Sequence, residues 1–546
     1  MRPLISVMTS LREVVVAAIK SLLRGKSFIE ALLAFWIRPS VLKDQHAGPV
    51  KAPIQGPEDF LEEAESLLLG PIDNGGLKEF AERMKLQFRH GLWSNPACML
   101  PSYNHQLPSG YETGQFLALD VGGSTLRVAL VDLRSRGFQA AESIIVRMET
   151  FKIGVEVKSL QGVAFFDWMA ERIQETLAKE DTQNHTLEKP LLMGLAWSFP
   201  VEQTSARGGK LQGMGKGFRA EDGLLGQDLG DIINLACRKK GLHVELSAIV
   251  NDSSATLLSQ AYINPSTRFG LILGTGVNIA AHLPVTTVGL SKYGDRPSTW
   301  TEKAGHVIVN TELGMFGKDI LPLTKWDEML KSFHPRPDFQ PLEHLVSGMY
   351  LGEVCRLVLV DAIESTGIFG GVVPPTLLTR YSLSTETMSD IEADESAALD
   401  TARSIFASRH PSTVEPAIDD MKFLKTMCSY ISRRSASIVA ASLVALWELK
   451  TEAEAEFLSG LSVDSAFLTE TDAEMKLSRT MVAFNGSVIE HYPNYQENLK
   501  GYINSLLTSR NLPTASIDFV LAKESSLLGA AVALASLDEN STLLPN

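Results

Sequence analysis

The apolar run Ala248-Ile249-Val250 ends in Asn251-Asp252-Ser253. A carboxylate at a strand end can take the proton of an alcohol, which phosphoryl transfer to a hydroxyl requires. The same residues also suit an Asx turn, and Asp252 by itself leaves both readings open. Two glycine turns stand where such chemistry would use them. Phe116–Asp120 reads as a buried strand; it runs into Gly122-Gly123-Ser124-Thr125-Leu126-Arg127, and a second strand, Val128–Val131, follows. Glycines let backbone N–H groups approach a phosphate closely. Asp120, at the strand end, has the chemistry to hold a hydrated magnesium ion. The second turn is Gly274-Thr275-Gly276-Val277-Asn278, again after an apolar strand. Either turn alone is an ordinary hairpin.

Taken together, and with a candidate base between them, the turns fit the duplicated design of the actin-like ATPases, whose two lobes each present one turn to the nucleotide. The elements around them agree. Strand and helix signals alternate from about residue 57 to the end, and Gly-rich turns and Val/Ile/Leu runs recur. That is the pattern of an ordered α/β chain. With 546 residues, 45% of them hydrophobic, there is material for two or more domains and a large core. No internal repeat is visible. Residues 388–417 are acidic, then Ser/Pro-containing, and read as surface structure. The four cysteines, Cys98, Cys237, Cys355 and Cys428, are too far apart for a metal pair or a disulfide framework, which points to a reducing compartment. A formal charge of −14 argues against nucleic-acid binding.

The first 40 residues differ. Six basic residues (Arg2, Arg12, Lys20, Arg24, Lys26, Arg38) stand against two acidic ones (Glu13, Glu30), with apolar stretches between. No run reaches the roughly 18 apolar residues of a spanning helix. The segment suits a mitochondrial address or a membrane-surface helix, and equally a helix packed on the protein's own surface. Residues 38–57 contain four prolines and read as a linker.

Five stretches carry a resemblance. Leu195-Ala196-Trp197-Ser198-Phe199-Pro200, with Gln203-Thr204-Ser205 beyond it, resembles the sugar-binding signature of the hexokinase family, and Lys216-Gly217-Phe218 the Lys-Gly-Phe that follows it. Asn310-Thr311-Glu312-Leu313-Gly314-Met315-Phe316-Gly317 is similar to the family's Asn-x-Glu-x-Gly-x-Phe-Gly. Ser347-Gly348-Met349-Tyr350-Leu351-Gly352-Glu353 matches a family motif at every residue, and Met99–Tyr103 sits where the family has such a segment. The resemblance spans residues 57 to 537. It implies a two-lobed, actin-like (ribonuclease H-like) α/β fold that closes over a hexose. The divisions expected are an extension and linker (1–56), an N-terminal region mostly in the small lobe (57–248), a C-terminal region mostly in the large lobe (249–537) and a tail (538–546).

By the same resemblance, Ser198, Lys216, Asn251, Asp252, Asn278, Glu312 and Glu353 ring the sugar. Asp252 is the general base, and Lys216 offsets charge on the transferring group. Asp120, Gly122, Gly123, Ser124, Thr125, Arg127, Gly274, Thr275, Gly276, Gly486, Ser487 and Ser526 serve ATP, with Asp120 also serving Mg2+. The implied protein is cytoplasmic and binds a hexose. Some family members have an apolar N-terminal segment on the outer mitochondrial membrane, which gives residues 1–40 a place at the mitochondrial surface.

Departures from the family cluster on the nucleotide side. Gly-Gly-Thr-Asn becomes Gly122-Gly123-Ser124-Thr125. A Lys in the next strand becomes Asp132, which near polyphosphate would be repulsive. Asp-Gly-Ser becomes Asn485-Gly486-Ser487, and Gly-Ser-Gly-x-Gly becomes Ser525-Ser526-Leu527-Leu528-Gly529, restricting close backbone approach. On the sugar side, Thr-Trp-Thr-Lys becomes Gly213-Met214-Gly215-Lys216. That change would widen the wall and suit N-acetylglucosamine, as in a fungal-type atypical hexokinase or an N-acetylglucosamine kinase-like member; neutral drift is the alternative. Two functions follow: a kinase acting on the 6-hydroxyl of glucose or N-acetylglucosamine, which the intact Asp252 favours, and a sugar sensor with poor phosphoryl transfer.

Overall fold

The computed structural model describes residues 54–537 apart from Asn74 and residues 137–143, 179–184, 215–216, 297–299 and 301–302. The N-terminal 40 residues, the tail 538–546 and Lys216 therefore lie outside the described residues. In chain order the strands are β1 (Leu100–Pro101), β2 (Gly114–Val121), β3 (Thr125–Leu133), β4 (Ile144–Lys152), β5 (Leu191–Trp197), β6 (Val201–Gln203), β7 (Gly209–Leu211), β8 (Val244–Val250), β9 (Thr267–Leu273), β10 (Val277–Pro284), β11 (His306–Asn310), β12 (Thr480–Asn485) and β13 (Ile517–Leu521). The helices that position the site are α1 (Pro57–Leu68), α2 (Gly76–Ser94), α3 (Val163–Leu177), α4 (Leu229–Lys239), α5 (Asp252–Ile263), α6 (Gly348–Thr366), α7 (Ile418–Gly460) and α8 (Ser525–Ala535).

Two sheets organise the chain. The small-lobe sheet has the order β4-β3-β2-β5-β8, and the large-lobe sheet β1-β11-β10-β9-β12-β13. Each contains three antiparallel strands followed by two parallel ones: β2, β3, β4 then β5 and β8; β9, β10, β11 then β12 and β13. The architecture is thus duplicated although the sequence shows no repeat. Strand order depends on where apolar strands and crossovers fall, and many side-chain sets satisfy it. The mixed α/β two-lobed expectation holds.

Period-two patterning explains how the small-lobe sheet is sandwiched. Leu117, Leu119, Leu126, Val128, Leu130, Leu195 and Trp197 face one core, closed by α3 and α4. Ala118, Ala129, Ala196 and Ala248 alternate with them and face the other, where α5 and α8 lie. Small residues on that face let α8 approach. A β-carbon at Gly194 would overlap the Ala530 carbonyl, and one at Gly529 would overlap the Ala255 carbonyl. On its other side α5 rests on Gly270 of β9, where a β-carbon would run into the Ser253 carbonyl. The α5–α8 pair is therefore wedged between the two sheets.

Two expectations change. Helices α1 and α2 bury Phe60, Leu68, Phe80 and Phe88 in the large-lobe core, and β1 pairs with β11. Residues 57–101 thus belong with the large lobe, because their apolar faces pair with Trp326 and Phe316 (ring centroids 6.1 and 4.8 Å). Within 388–417, read as surface, Met388, Ile391 and Phe406 are core residues of helices Thr385–Ala393 and Asp400–Arg409. Most of the charges lie on the outward faces of amphipathic helices, but Glu392 is buried, accepting from Tyr492 and Ser432. The four cysteines are free and buried. Among the described residues no helix is long and apolar enough to cross a membrane, and no His/Cys/Asp/Glu cluster is arranged to hold a metal ion.

Gly529→Ala should overpack the α5–α8 contact, costing ~1–3 kcal/mol. Calorimetry should record a lowered unfolding midpoint; an unchanged midpoint would mean that the helices can part without loss.

Candidate active site

Strand β8 delivers Asn251 and Asp252 to the N-terminus of α5. Asn251 is extended (φ −74°, ψ 154°), and its Oδ1 accepts from Ser253 N (2.9 Å) and Ser253 Oγ (2.7 Å). Asp252 Oδ1 accepts from Ser253 N at 2.8 Å. The cap fixes both side chains, and the helix dipole favours a negative charge there. A relay of amides leads away from Asn251. Asn278 Nδ2, on β10, donates to Asn251 Oδ1 (3.3 Å) and Asn310 Oδ1 (2.8 Å). Asn310 Nδ2, at the end of β11, donates to Glu312 Oε1 (2.8 Å). Glu312 itself has φ 52°, a left-handed backbone that turns its carboxylate back toward Asn310.

Glu343 joins this group and Glu353 does not. Glu343 Oε2 accepts from Val277 N (3.2 Å), next to Asn278, and its charge is felt at Glu312. Glu353 is buried elsewhere: its oxygens accept from Arg356 Nε (2.7 Å), Arg356 Nη2 (2.5 Å) and Tyr381 N (2.5 Å). Glu353 holds α6 to the segment carrying Tyr381 and has no oxygen turned to the cleft. Sequence reasoning missed Glu343 and Asn310. Both were findable: Asn310 is part of the quoted motif, and Glu343 precedes a helix whereas Glu353 has a helical Arg three residues on, a self-neutralising spacing. Ser198 follows β5 with its N–H directed at Val121 O (3.4 Å), beside the first glycine turn.

Each glycine turn is held by main-chain bonds. Gly274 N donates to Gly276 O (3.0 Å), closing the β9–β10 turn. Gly348 N and Met349 N donate to Gly274 O (2.8 Å) and Thr275 O (3.1 Å), so the N-terminus of α6 seats that turn. A β-carbon at Gly348 would come 2.9 Å from Gly274 O. Gly486 (φ 126°) lies on Leu273, with Ser487 next to Gly274. In the first turn Gly122 N donates to Thr125 O (3.0 Å), and Ser124 O accepts from Ile153 N (2.8 Å). Arg127 joins this hairpin to the α8 turn, donating to Asp120 and, through Nη1, to Glu524 Oε2 (2.6 Å). Ser526 is buried at the start of α8, next to Ser525, whose Oγ lies 2.9 Å from Thr256 Oγ1 of α5.

Two sequence models described as hexokinase match residues 70–262 and 268–536. Hexokinase-1 of Arabidopsis thaliana is 31% identical over 84% of this chain and 88% of its own length, and Hexokinase-2 of Solanum tuberosum 30% identical over 85% and 88%. The chain belongs to the hexokinase family. It is a phosphotransferase with an alcohol group as acceptor. A hexokinase from Schistosoma mansoni, solved in complex with glucose, superposes with a TM-score of 0.69 at 28% identity, covering 88% of this chain and all of that one.

Hexokinases use ATP with Mg2+, and several departures on that side have local explanations. Asp132 sits at the far end of β3 from the glycine turn, opposite Gln115, and pairs with Arg134 (3.0 Å); it does not approach the phosphate turn. Asn485 donates from Nδ2 to Ala522 O (3.0 Å), a bond that a carboxylate could not make, and so ties the ends of β12 and β13. Leu527 is fully buried in the core between the lobes. It therefore projects away from the nucleotide side. Met214 also turns inward: it is 2% exposed and packs with Phe199 and Phe218. Met214 itself therefore belongs to the small-lobe core, while Gly215 and Lys216 of the same stretch lie outside the described residues. Asp120 gives Oδ2 to Arg127, so a magnesium ion here would meet a guanidinium and is better held through its waters.

Burial pushes the Glu312 carboxyl up to about 7; the Asn310 amide opposes the rise, and Asp252 and Glu343 add to it by charge. The folded-state value lies above the ordinary one, so the unliganded protein is most stable with Glu312 protonated. That stability is lost as pH rises through about 7. Glu312→Gln, which mimics the protonated form, should raise the unfolding midpoint near pH 8 and leave it nearly unchanged near pH 4, below the ordinary carboxyl value. The ionised carboxylate is the better acceptor for a hydroxyl. Hexose affinity of the unsubstituted protein should therefore rise between those pH values, and a flat profile by calorimetric titration would remove Glu312 from the site.

Proposed function

We propose that this chain transfers the γ-phosphoryl group of ATP to the 6-hydroxyl of a glucose-type hexose, with Asp252 as the general base. The observation that carries this is the amide relay Asn251–Asn278–Asn310–Glu312, which begins beside Asp252. It supplies fixed donors and acceptors at several angles, as a polyhydroxylated ring demands. Glu343 takes the place in the sugar shell expected of Glu353, and Ser198 and Lys216 complete it. The 6-hydroxyl oxygen attacks phosphorus, its proton passes to Asp252, and the bond to the ADP oxygen breaks with the negative charge leaving on ADP. Backbone N–H groups of the glycine turns hold the phosphates, and Lys216 offsets charge on the group in transfer. Magnesium, when bound with ATP, neutralises the β- and γ-oxygens.

Glucose is favoured over N-acetylglucosamine because both matching sequence models describe a hexokinase. The Schistosoma relative solved with glucose points the same way. An atypical-hexokinase or N-acetylglucosamine kinase subtype has no support in the geometry of the described residues. A coupled ADP-release assay with glucose, mannose, fructose and N-acetylglucosamine tests the substrate. Asp252→Ala should lower kcat by ~10²–10⁴-fold. Glu343→Gln should raise the hexose KM by about tenfold or more, as loss of a hydrogen bond to a charged group implies. Glu353→Gln should lower stability and leave KM alone. Sugar binding without turnover on any of the four would turn the reading to a sugar sensor.

Residues 1–40 place the protein on the cytoplasmic side of the outer mitochondrial membrane; their basic, apolar, acid-poor composition supports this. Deleting them should release the protein into the soluble fraction with unchanged sugar affinity. Continued sedimentation with membranes would refute the assignment.

A further inference from the structure

Arg127 stands between two carboxylates. Its Nε and Nη2 both donate to Asp120 Oδ2, at 2.9 and 2.5 Å, and its Nη1 donates to Glu524 Oε2 at 2.6 Å. Asp120 lies directly opposite Arg127 in the β2–β3 ladder, so that pair is internal to the hairpin. Glu524 comes from outside: it caps α8, in the turn after the large-lobe edge strand β13. The Glu524 backbone is left-handed (φ 48°, ψ 32°), a conformation a β-carbon disfavours. Its carboxylate therefore occupies the Nη1 side of a guanidinium whose planar fork suits phosphate. Two negative charges against one positive leave the hairpin flank net negative where polyphosphate would arrive.

We propose that Glu524 is an intramolecular competitor for Arg127: a nucleotide phosphate must displace the Glu524 carboxylate to reach the guanidinium. This rests on the kinase reading above. The contact sets nucleotide affinity below what the bare hairpin would give, and it makes nucleotide binding release the turn that starts α8. Because α8 packs on α5, that release is felt at the helix whose N-terminus carries Asp252.

Glu524→Gln in the full-length chain keeps the side-chain length and removes the charge. The Arg127 and Glu524 side chains are 27% and 39% exposed, so solvent screens the pair. The expected effect is accordingly a fall of about fivefold in KM for Mg-ATP, with KM for glucose unchanged and kcat not lowered. Calorimetric titration with Mg-ADP in the absence of sugar should show tighter binding by a similar factor. If the ion pair instead only braces the hairpin against the turn, the substitution will raise the ATP KM or lower kcat. An ATP KM or an ADP affinity that is unchanged or weakened overturns the competition. The two arms separate the claims: an unsubstituted chain that binds Mg-ADP yet transfers no phosphoryl group defeats the kinase reading, while its ADP affinity still decides the role of Glu524.

Discussion

Gly529 of α8 faces the Ala255 carbonyl of α5 so closely that no β-carbon fits between them. That contact sets the spacing of the two lobes. The N-terminus of α5 carries Asn251 and Asp252, and that of α8 follows Glu524 and begins with Ser525 and Ser526. Both helices are wedged between sheets whose facing positions are rich in alanine and glycine. Larger residues on either face would push the helices outward and carry Asp252 and the α8 turn away from the glycine turns. Interiors pack at crystal-like density and do not absorb such changes softly. The small-residue layer is thus what turns two separate sheets into one cleft.

Gathering carboxylates in that cleft works against stability. Glu312 is buried with Asp252 and Glu343 near enough to be felt electrostatically. The amide relay offsets part of this cost by giving Glu312 a donor in Asn310. Buried pairs elsewhere in the large lobe, such as Arg434 with Asp327 at 2.7 Å, carry their own counter-charge. Among the described residues the groups that shift Glu312 are the Asn310 amide and two further carboxylates, and hydroxyl donors of a ligand are the natural complement.

Much of this was legible in the chain itself. Asn251-Asp252 after an apolar strand, the two glycine turns and the Asn310-x-Glu312 spacing all lie where the reading put them. The failures have physical causes. The motif ending in Glu353 matched at every residue, yet a helical Arg356 three residues on consumes that carboxylate, and Glu343 stands by the cleft instead. Asp132 follows the first glycine turn in sequence, yet seven residues of strand, roughly 23 Å, separate it from that turn. Residue type alone does not say where Met214 and Leu527 point; burial does. The duplicated sheet order left no trace in the sequence because topology is shared by many sequences.

The departures from the family pattern fall mostly on the nucleotide side, and the proposed chemistry explains why that side tolerates them. Phosphates held by backbone N–H groups ask only that the turns keep their shape. Here that shape is secured by main-chain bonds, from Gly348 and Met349 to the β9–β10 turn and from Ile153 to Ser124. Side chains there are free to take other work: Asn485 ties two strand ends and Leu527 fills the core. A sugar is held differently. Its hydroxyls meet side-chain amides and carboxylates, and replacing one of the relay asparagines would leave its buried partners unpaired. Backbone recognition is therefore permissive of sequence and side-chain recognition is not, so one cleft can drift along one wall while the other stays whole.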